Sequence, residues 1–234
     1  MGSSRLSIGI VQENPVVGDI KGNLKIAADA VKKLNSKGNL DIILLTEMFI
    51  TGYPPEDLIL RDDLLNSADE AVEELTHLAP ETHIVIGYPK KMGQNIFNSA
   101  GVVYNNKILL EYHKQELPNY EVFDEKRYFS PGKGPGIFEV NGHKIAVTIC
   151  EDIWHTKAVR QASRRGAELI LNLNASPFHI NKLNERKEMI SNHCKKFELP
   201  IIYANQVGGQ DELVFDGSSM VMNSNGTQAV QLKN

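Results

Sequence analysis

Cys150 stands where an apolar run, residues 144–149, gives way to the loop Glu151-Asp152-Ile153-Trp154. In α/β proteins, groups at the carboxyl ends of strands are held rigidly and face clefts, so a thiol there can serve as a nucleophile. Such chemistry needs a base to take the thiol proton, and a cation or N–H donors for the negative charge that builds on the attacked oxygen. Glu47 and Lys114 occupy matching places. Glu47 follows the run 41–45 in Leu45-Thr46-Glu47-Met48-Phe49, among apolar neighbours that keep water away, and Lys114 follows the run 108–112 in His113-Lys114-Gln115-Glu116-Leu117-Pro118. Each residue also has an ordinary reading: a small core side chain for Cys150, a surface carboxylate for Glu47, an exposed hairpin-end lysine for Lys114. Strand exits bearing Glu, Lys and Cys together favour the chemical reading, while spacing alone leaves open whether they converge. Cys194, inside the helical pattern 184–196, reads as core.

Other reaction classes lack their signatures. There is no Gly-x-Ser-x-Gly elbow, no Walker A loop, and no strand followed by Gly-x-Gly-x-x-Gly; Gly132-Lys133-Gly134-Pro135-Gly136 precedes a strand rather than a helix and reads as a plain loop. The seven histidines never pair at zinc-site spacings and the two cysteines are far apart, so metal catalysis is set aside.

The elements that must position these residues alternate along the chain. Residues 6–11 read as a strand, 23–34 carry Leu24, Ile26, Ala27, Ala30, Val31 and Leu34 at helical spacing, and 41–45 return as a strand. A loop with Gly52, Pro54 and Pro55 leads to a helix at 64–78 and a strand at 83–87. Hairpins follow at 97–104 with 108–112 and at 136–140 with 144–149, the second turning on Asn141-Gly142. Alternation then resumes with helix 158–165, strand 168–173, helix 184–196, strand 200–205 and a last hairpin around 223–226. The fold class is therefore α/β, a mixed sheet packed between helices.

The chain has 234 residues, 41% hydrophobic and 23% charged, an ordinary globular composition that excludes disorder and collagen. We read it as one domain spanning 1–234, since no linker, repeat or low-complexity segment divides it. Lys and Arg number 25 against 29 Asp and Glu, a net charge of −4 without long same-sign blocks, so nucleic acid is not an expected partner. No apolar run approaches the roughly 20 residues that cross a bilayer. With two cysteines and no leader pattern, a reduced, cytoplasmic location is expected. Residues 228–232 read as a strand with nothing after it to cover it, which is the expectation for a fragment of something longer.

At the residues singled out above, the chain resembles the nitrilase superfamily, whose members attack amides, nitriles and carbamoyl groups with a Glu, Lys, Cys triad. Thr46-Glu47-Met48-Phe49 with Thr51-Gly52-Tyr53-Pro54 resembles the glutamate motif, His113-Lys114 the lysine motif, and Ile149-Cys150-Glu151-Asp152-Ile153-Trp154 the cysteine motif. The run from Leu117-Pro118-Asn119-Tyr120 through Glu125-Lys126-Arg127-Tyr128-Phe129, with Pro54-Pro55-Glu56-Asp57-Leu58 and Asn174-Ala175-Ser176-Pro177-Phe178, is similar to the glutaminase domains of the glutamine-dependent NAD(+) synthetase family. The similarity runs from Ile8 to the turn Asp216-Gly217-Ser218-Ser219.

The resemblance implies a nitrilase-type α-β-β-α sandwich that hydrolyses L-glutamine and supplies ammonia. Glu47 is then the general base, Lys114 the oxyanion stabiliser, Cys150 the nucleophile, and Glu125 a second glutamate that positions lysine and substrate. Tyr120, Ser176 and Lys182 would bind glutamine, with Lys182, in a polar loop, facing its α-carboxylate; Trp154 and Phe178 would line the pocket or pack. The glutaminase step needs no cofactor. ATP and Mg belong to a C-terminal synthetase domain whose Ser-Gly-Gly-x-Asp-Ser loop this sequence lacks, and that domain is the implied partner. Self-association into a homo-oligomer through helical faces is also implied. Two other readings remain: a different amidase or carbamoylase of the superfamily, which Tyr120, Ser176 and Pro54-Pro55 argue against, and a non-catalytic assembly module, which the complete triad argues against.

Overall fold

The computed structural model describes residues 5–38 and 40–233. In chain order the elements are β1 (Ile8–Ile10), α1 (Ile20–Asn35), β2 (Ile42–Leu44), α2 (Asp62–Thr76), β3 (His83–Met92), β4 (Asn95–Tyr104), β5 (Lys107–His113), β6 (Gly136–Val140), β7 (His143–Ile149), α3 (Thr156–Arg164), β8 (Leu169–Asn174), α4 (Lys182–Phe197), β9 (Ile201–Asn205), β10 (Val207–Gln210), β11 (Leu213–Asp216), β12 (Met220–Met222) and β13 (Gln228–Gln231). Short 3-10 turns lie at Glu56–Leu60, Glu125–Arg127 and Cys150–Trp154.

The expected mixed sheet is built as two. The first has the order β1-β2-β3-β4-β5, parallel across β1, β2 and β3 and antiparallel across the long β3-β4-β5 meander. The second has the order β13-β12-β9-β8-β7-β6, with parallel pairs β7–β8 and β8–β9 at its centre and antiparallel strands at both edges.

Side-chain alternation within each strand decides the layering. Ile43, Ile84 and Ile86 face outward and pack under Ala27, Val31, Ala68, Val72 and Leu75 of α1 and α2. Ile42, Leu44, Val85 and Val102 face inward against Val147, Leu171, Leu173 and Ile202 of the other sheet. On its far side, Ile170, Ile201 and Tyr203 pack under Val159, Ala162, Ile190 and Cys194 of α3 and α4. The result is the α-β-β-α sandwich that the resemblance implies. Central strands covered on both faces are mostly apolar, which is why they read as Ile, Val and Leu runs, broken in β8 by the buried Asn172 and Asn174. Each fully buried Val or Leu contributes roughly 1.5–3 kcal/mol.

Differences from the sequence reading are local. Helix α1 starts one turn earlier than expected, because Asp19 accepts a hydrogen bond from Gly22 N at 2.9 Å and caps a turn whose glycine hides the helical pattern. Helix α4 likewise begins at Lys182, so that residue opens a helix rather than lying in a polar loop. The hairpin β10–β11 was not foreseen, since Val207-Gly208-Gly209-Gln210 has weak strand propensity and pairs only through backbone register. Among the described residues no helix is long and apolar enough to cross a membrane.

Candidate active site

Glu47 follows β2, Lys114 follows β5 and Cys150 follows β7, so the first two leave one sheet and the third leaves the sheet facing it. Two glycines let the chain close in around them. A Cβ on Gly87 of β3 would lie 2.4 Å from Met48 N and 2.5 Å from Thr46 O, so only glycine allows the Glu47 loop to lie on that strand. A Cβ on Gly132 would fall 2.0 Å from His113 O, where Gly132 N donates to Lys114 O at 2.8 Å.

Glu47 and Lys114 meet Glu125 in a dry interior. Lys114 Nζ lies 2.8 Å from Glu47 Oε1 and 2.7 Å from Glu125 Oε1, with the lysine side chain fully buried. Glu47 Oε1 also accepts from Asn98 Nδ2 at 2.7 Å, and Oε2 accepts from Ala175 N at 2.9 Å, so one carboxylate is fixed from both sheets. Tyr53 OH donates to Glu125 Oε1 at 2.9 Å. Glu125 Oε2 and Asn98 Oδ1 are buried without a hydrogen-bond partner among the described residues.

Cys150 completes the cluster at a strained backbone position. Its φ of 40° is in the left-handed region, at the first residue of the 3-10 turn Cys150–Trp154. Asp152 closes this turn by accepting from Ile149 N at 3.0 Å. Burial pushes the Cys150 thiol well above its ordinary range; Glu47, Glu125 and Glu151 push the same way, and Lys114 pulls it down. The resting sulfur is therefore protonated and needs a base. Burial opposes the Lys114 charge, yet Glu125 and Glu47 more than offset it and hold the ammonium protonated. Glu125 is pushed up to about 7, chiefly by burial and then by Glu47, against the pull of Lys114. A buried carboxylate, a buried cation and a thiol in one water-poor site are the groups that acyl transfer to sulfur requires.

The comparison with known families decides the affiliation: the carbon-nitrogen hydrolase profile matches residues 7–234. The chain belongs to this family. Within the nitrilase superfamily it is 40% identical over 225 residues to the glutamine-dependent NAD(+) synthetase of Acinetobacter baylyi, a match covering 96% of this chain and 41% of that protein. The structure of a glutamine-dependent NAD+ synthetase from Acinetobacter baumannii, in complex with adenosine diphosphate, superposes with a TM-score of 0.93 at 38% identity, over 97% of this chain and 43% of the other. An amidase from Nesterenkonia sp. superposes with a TM-score of 0.89 at 25% identity, covering 100% of this chain and 88% of that one. The chain thus spans about two fifths of the length of the NAD(+) synthetases it matches.

The other predicted residues of this carbon-nitrogen hydrolase are placed unevenly. Tyr120 is half-exposed and donates to Glu151 Oε2 at 2.9 Å; the other oxygen of Glu151 lies 3.2 Å from His155 Nε2. These residues line a surface cavity of about 480 Å³ with Glu116 and Pro118. Ser176 is buried, its N–H donating to Asn205 Oδ1 at 2.9 Å. Lys182 Nζ lies 4.1 Å from the Trp154 ring centre and 3.7 Å from Glu185 Oε2. Trp154 packs against the outer core and Phe178 is exposed. Cys194 lies in the outer core, its thiol pushed up to about 12 by burial, as a packing residue should be.

Arg186 is a residue the sequence reading missed. It is fully buried and donates through Nη2 to Ser176 O at 2.8 Å and Pro177 O at 3.0 Å, and through Nη1 to Asp216 Oδ1 at 2.6 Å. A signal was present: Arg186, Ile190 and Cys194 recur every four residues, which puts the arginine on the apolar stripe of α4. Among the described residues no group of three or more His, Cys, Asp and Glu is placed to hold a metal ion.

Proposed function

We propose that this chain is a glutamine amidohydrolase, the ammonia-producing part of a glutamine-dependent NAD(+) synthetase. The observation that carries the reading is the buried Lys114 ammonium, held between Glu47 and Glu125 beside Cys150. The substrate follows from the A. baylyi and A. baumannii proteins, whose names make them glutamine-dependent.

In the reaction, Glu47 takes the Cys150 proton as sulfur bonds to the side-chain carbonyl carbon of glutamine. The negative charge that develops on the carbonyl oxygen faces the Lys114 ammonium, whose charge costs no reorganisation because two carboxylates already fix it. Collapse breaks the C–N bond, Glu47 returns its proton to nitrogen, and ammonia leaves. Water then attacks the γ-glutamyl thioester, Glu47 accepting its proton and returning it to sulfur as glutamate is released. Tyr120, Ser176 and Lys182 are assigned to binding glutamine, with Lys182 reaching the α-carboxylate.

Ammonia would pass to an ATP-dependent synthetase domain, which uses Mg and amidates an adenylated nicotinate dinucleotide. The A. baumannii structure binds ADP, which fits a nucleotide site in the part of such proteins that this chain does not span. A reducing cytoplasm suits a reaction that needs a free Cys150 thiol. The second reading, a free-standing amidase, is favoured by the likeness to the Nesterenkonia amidase, of which this chain spans most.

Glutamate and ammonia release from glutamine, beside intact-mass measurement after treatment with a glutamine-like diazo-ketone, tests the proposal. Release together with labelled Cys150 supports it. Labelling without release from glutamine, but with release from short aliphatic amides, moves the assignment to the amidase reading. Neither signal points to a non-catalytic module.

A further inference from the structure

Asp152 is fully buried and carries no role in the reaction above, yet it accepts hydrogen bonds from both segments that bear the catalytic groups. Its Oδ2 accepts from Ile149 N at 3.0 Å and from Tyr112 OH at 2.7 Å, and its Oδ1 accepts from the backbone N–H groups of Gln115 and Glu116, each at 2.9 Å. Ile149 immediately precedes Cys150. Gln115 immediately follows Lys114, and Tyr112 comes two residues before it. The carboxylate therefore belongs to the cysteine turn of one sheet, while three of its donors belong to the end of β5 and the lysine loop of the other.

Elsewhere the two sheets meet through apolar side chains such as Leu44, Val85, Val147 and Leu171, contacts that have no preferred direction. Four donors converging on two oxygens are directional, and in a dry site they fix both backbone segments. The tie continues outward: Gln115 Nε2 lies 3.3 Å from Tyr112 OH and donates to Gln161 Oε1 of α3 at 2.9 Å. Three of the four partners of Asp152 are backbone N–H groups that can only donate, so an amide in its place would turn its NH2 group toward at least one of them and leave that donor without an acceptor. The carboxylate is thus required as an anion-like acceptor rather than as a polar side chain of the right size.

We propose that Asp152 is a positioning residue that sets the distance between the Cys150 thiol and the Lys114 ammonium by tying the cysteine turn to the lysine loop. The inference rests on the reading of those two groups as partners in catalysis.

The test compares Asp152→Asn and Tyr112→Phe with the unaltered chain. It follows kcat and KM for glutamine, and the pH dependence of Cys150 alkylation by iodoacetamide read by intact mass. In Asp152→Asn, kcat falls by about 10²-fold, the scale of a misplacement near 1 Å. KM stays within roughly threefold, and the alkylation profile moves to higher pH because the ammonium no longer faces the sulfur. Tyr112→Phe, which removes one donor of four, shows the same pattern at roughly threefold to tenfold in kcat. Wild-type kcat with an unshifted profile in Asp152→Asn overturns the proposal. So does a parallel loss of kcat, KM and thermal stability with the profile unshifted, which marks a merely structural residue. If Asp152→Asn does not fold, Tyr112→Phe decides on the same two readouts. If the unaltered chain alkylates at Cys150 but releases no ammonia from glutamine, the glutaminase reading fails, and the alkylation profiles alone decide on the tie.

Discussion

Glu47 Oε1 and Lys114 Nζ lie 2.8 Å apart across 67 residues of sequence, in a fully buried pair. Such a pair is a poor source of stability, because removing two charges from water costs about what their attraction returns. Its placement makes sense as chemistry. In the proposed reaction the ammonium stabilises the developing oxyanion, and Glu125 supplies a second carboxylate at 2.7 Å that keeps it protonated. Two carboxylates for one cation leave the site short of positive charge, a condition that an incoming oxyanion makes worse unless Glu125 takes up a proton, as its upward shift to about 7 allows.

Replacing Cys150 with Ala should abolish glutamine hydrolysis while leaving the far-ultraviolet circular dichroism spectrum unchanged. Cys194→Ala, in the outer core among Ile190, Ile201 and Met222, removes one buried sulfur at a cost of about 1–2 kcal/mol and leaves kcat alone. Equal losses of activity in the two variants would refute the choice of nucleophile.

Lys114→Ala should lower kcat by about 10²–10³-fold, the usual effect of losing one oxyanion contact, while glutamine binding changes much less. Two carboxylates are also left without their shared cation in a buried site, so stability falls by about 3–5 kcal/mol unless one of them takes up a proton. Single-turnover kinetics beside isothermal binding to the Cys150→Ala background separates the two effects. Turnover retained in Lys114→Ala would remove the lysine from the reaction.

Much of this site was legible because it lies at strand exits, and strand exits follow from apolar runs bounded by polar ones. That pattern singled out Glu47, Lys114 and Cys150 as candidates, whereas Glu125 came only from the resemblance to a second glutamate of the nitrilase superfamily. What escaped were interactions with no sequence period. Tyr53, Asn98 and Ala175 N reach Glu47 and Glu125 from three separate segments, and the acceptor role of Asp152 depends on a loop 36 or more residues away. Lys182 was misplaced for a different reason. Its polar neighbourhood resembles a loop, but Asn181 adopts a left-handed φ of 71° and the helix starts directly after it.

The pH dependence of Glu125 gives a sign that can be checked. Its pKa rises from 4.5 to about 7 on folding, so between these values the folded chain holds more protons than the unfolded one. Stability must then fall as pH rises through that window. The Glu125 contribution is fully present below pH 4.5 and lost above 7. Glu125→Gln, which cannot titrate, should flatten the urea-unfolding free energy between pH 5 and 7 relative to wild type. An equal slope in both proteins would place the Glu125 pKa near its ordinary value.

Arg186 has a structural consequence for the residues assigned to glutamine. Its guanidinium is the partner of Asp216 Oδ1 and of the Ser176 and Pro177 carbonyls, and Nη2 also lies 3.1 Å from Ser176 Oγ, so it holds the loop after β8 against β11. Arg186→Met keeps the length and apolar bulk of the side chain but strands the Asp216 carboxylate and the Pro177 carbonyl, and leaves the Ser176 carbonyl only the longer bond from Asn205 Nδ2 at 3.4 Å. The expected cost is about 3–5 kcal/mol, the range for breaking a buried pair from one side. With Asp216→Asn added, the stranded charge is gone and part of that loss should return, a coupling that a double-mutant cycle measures directly. Because Ser176 is assigned to substrate rather than to bond breaking, the surviving Arg186→Met enzyme should show raised KM with kcat reduced less. A fall in kcat at unchanged KM would place Arg186 in the chemical step, through its charge near Cys150, rather than in shaping the glutamine pocket.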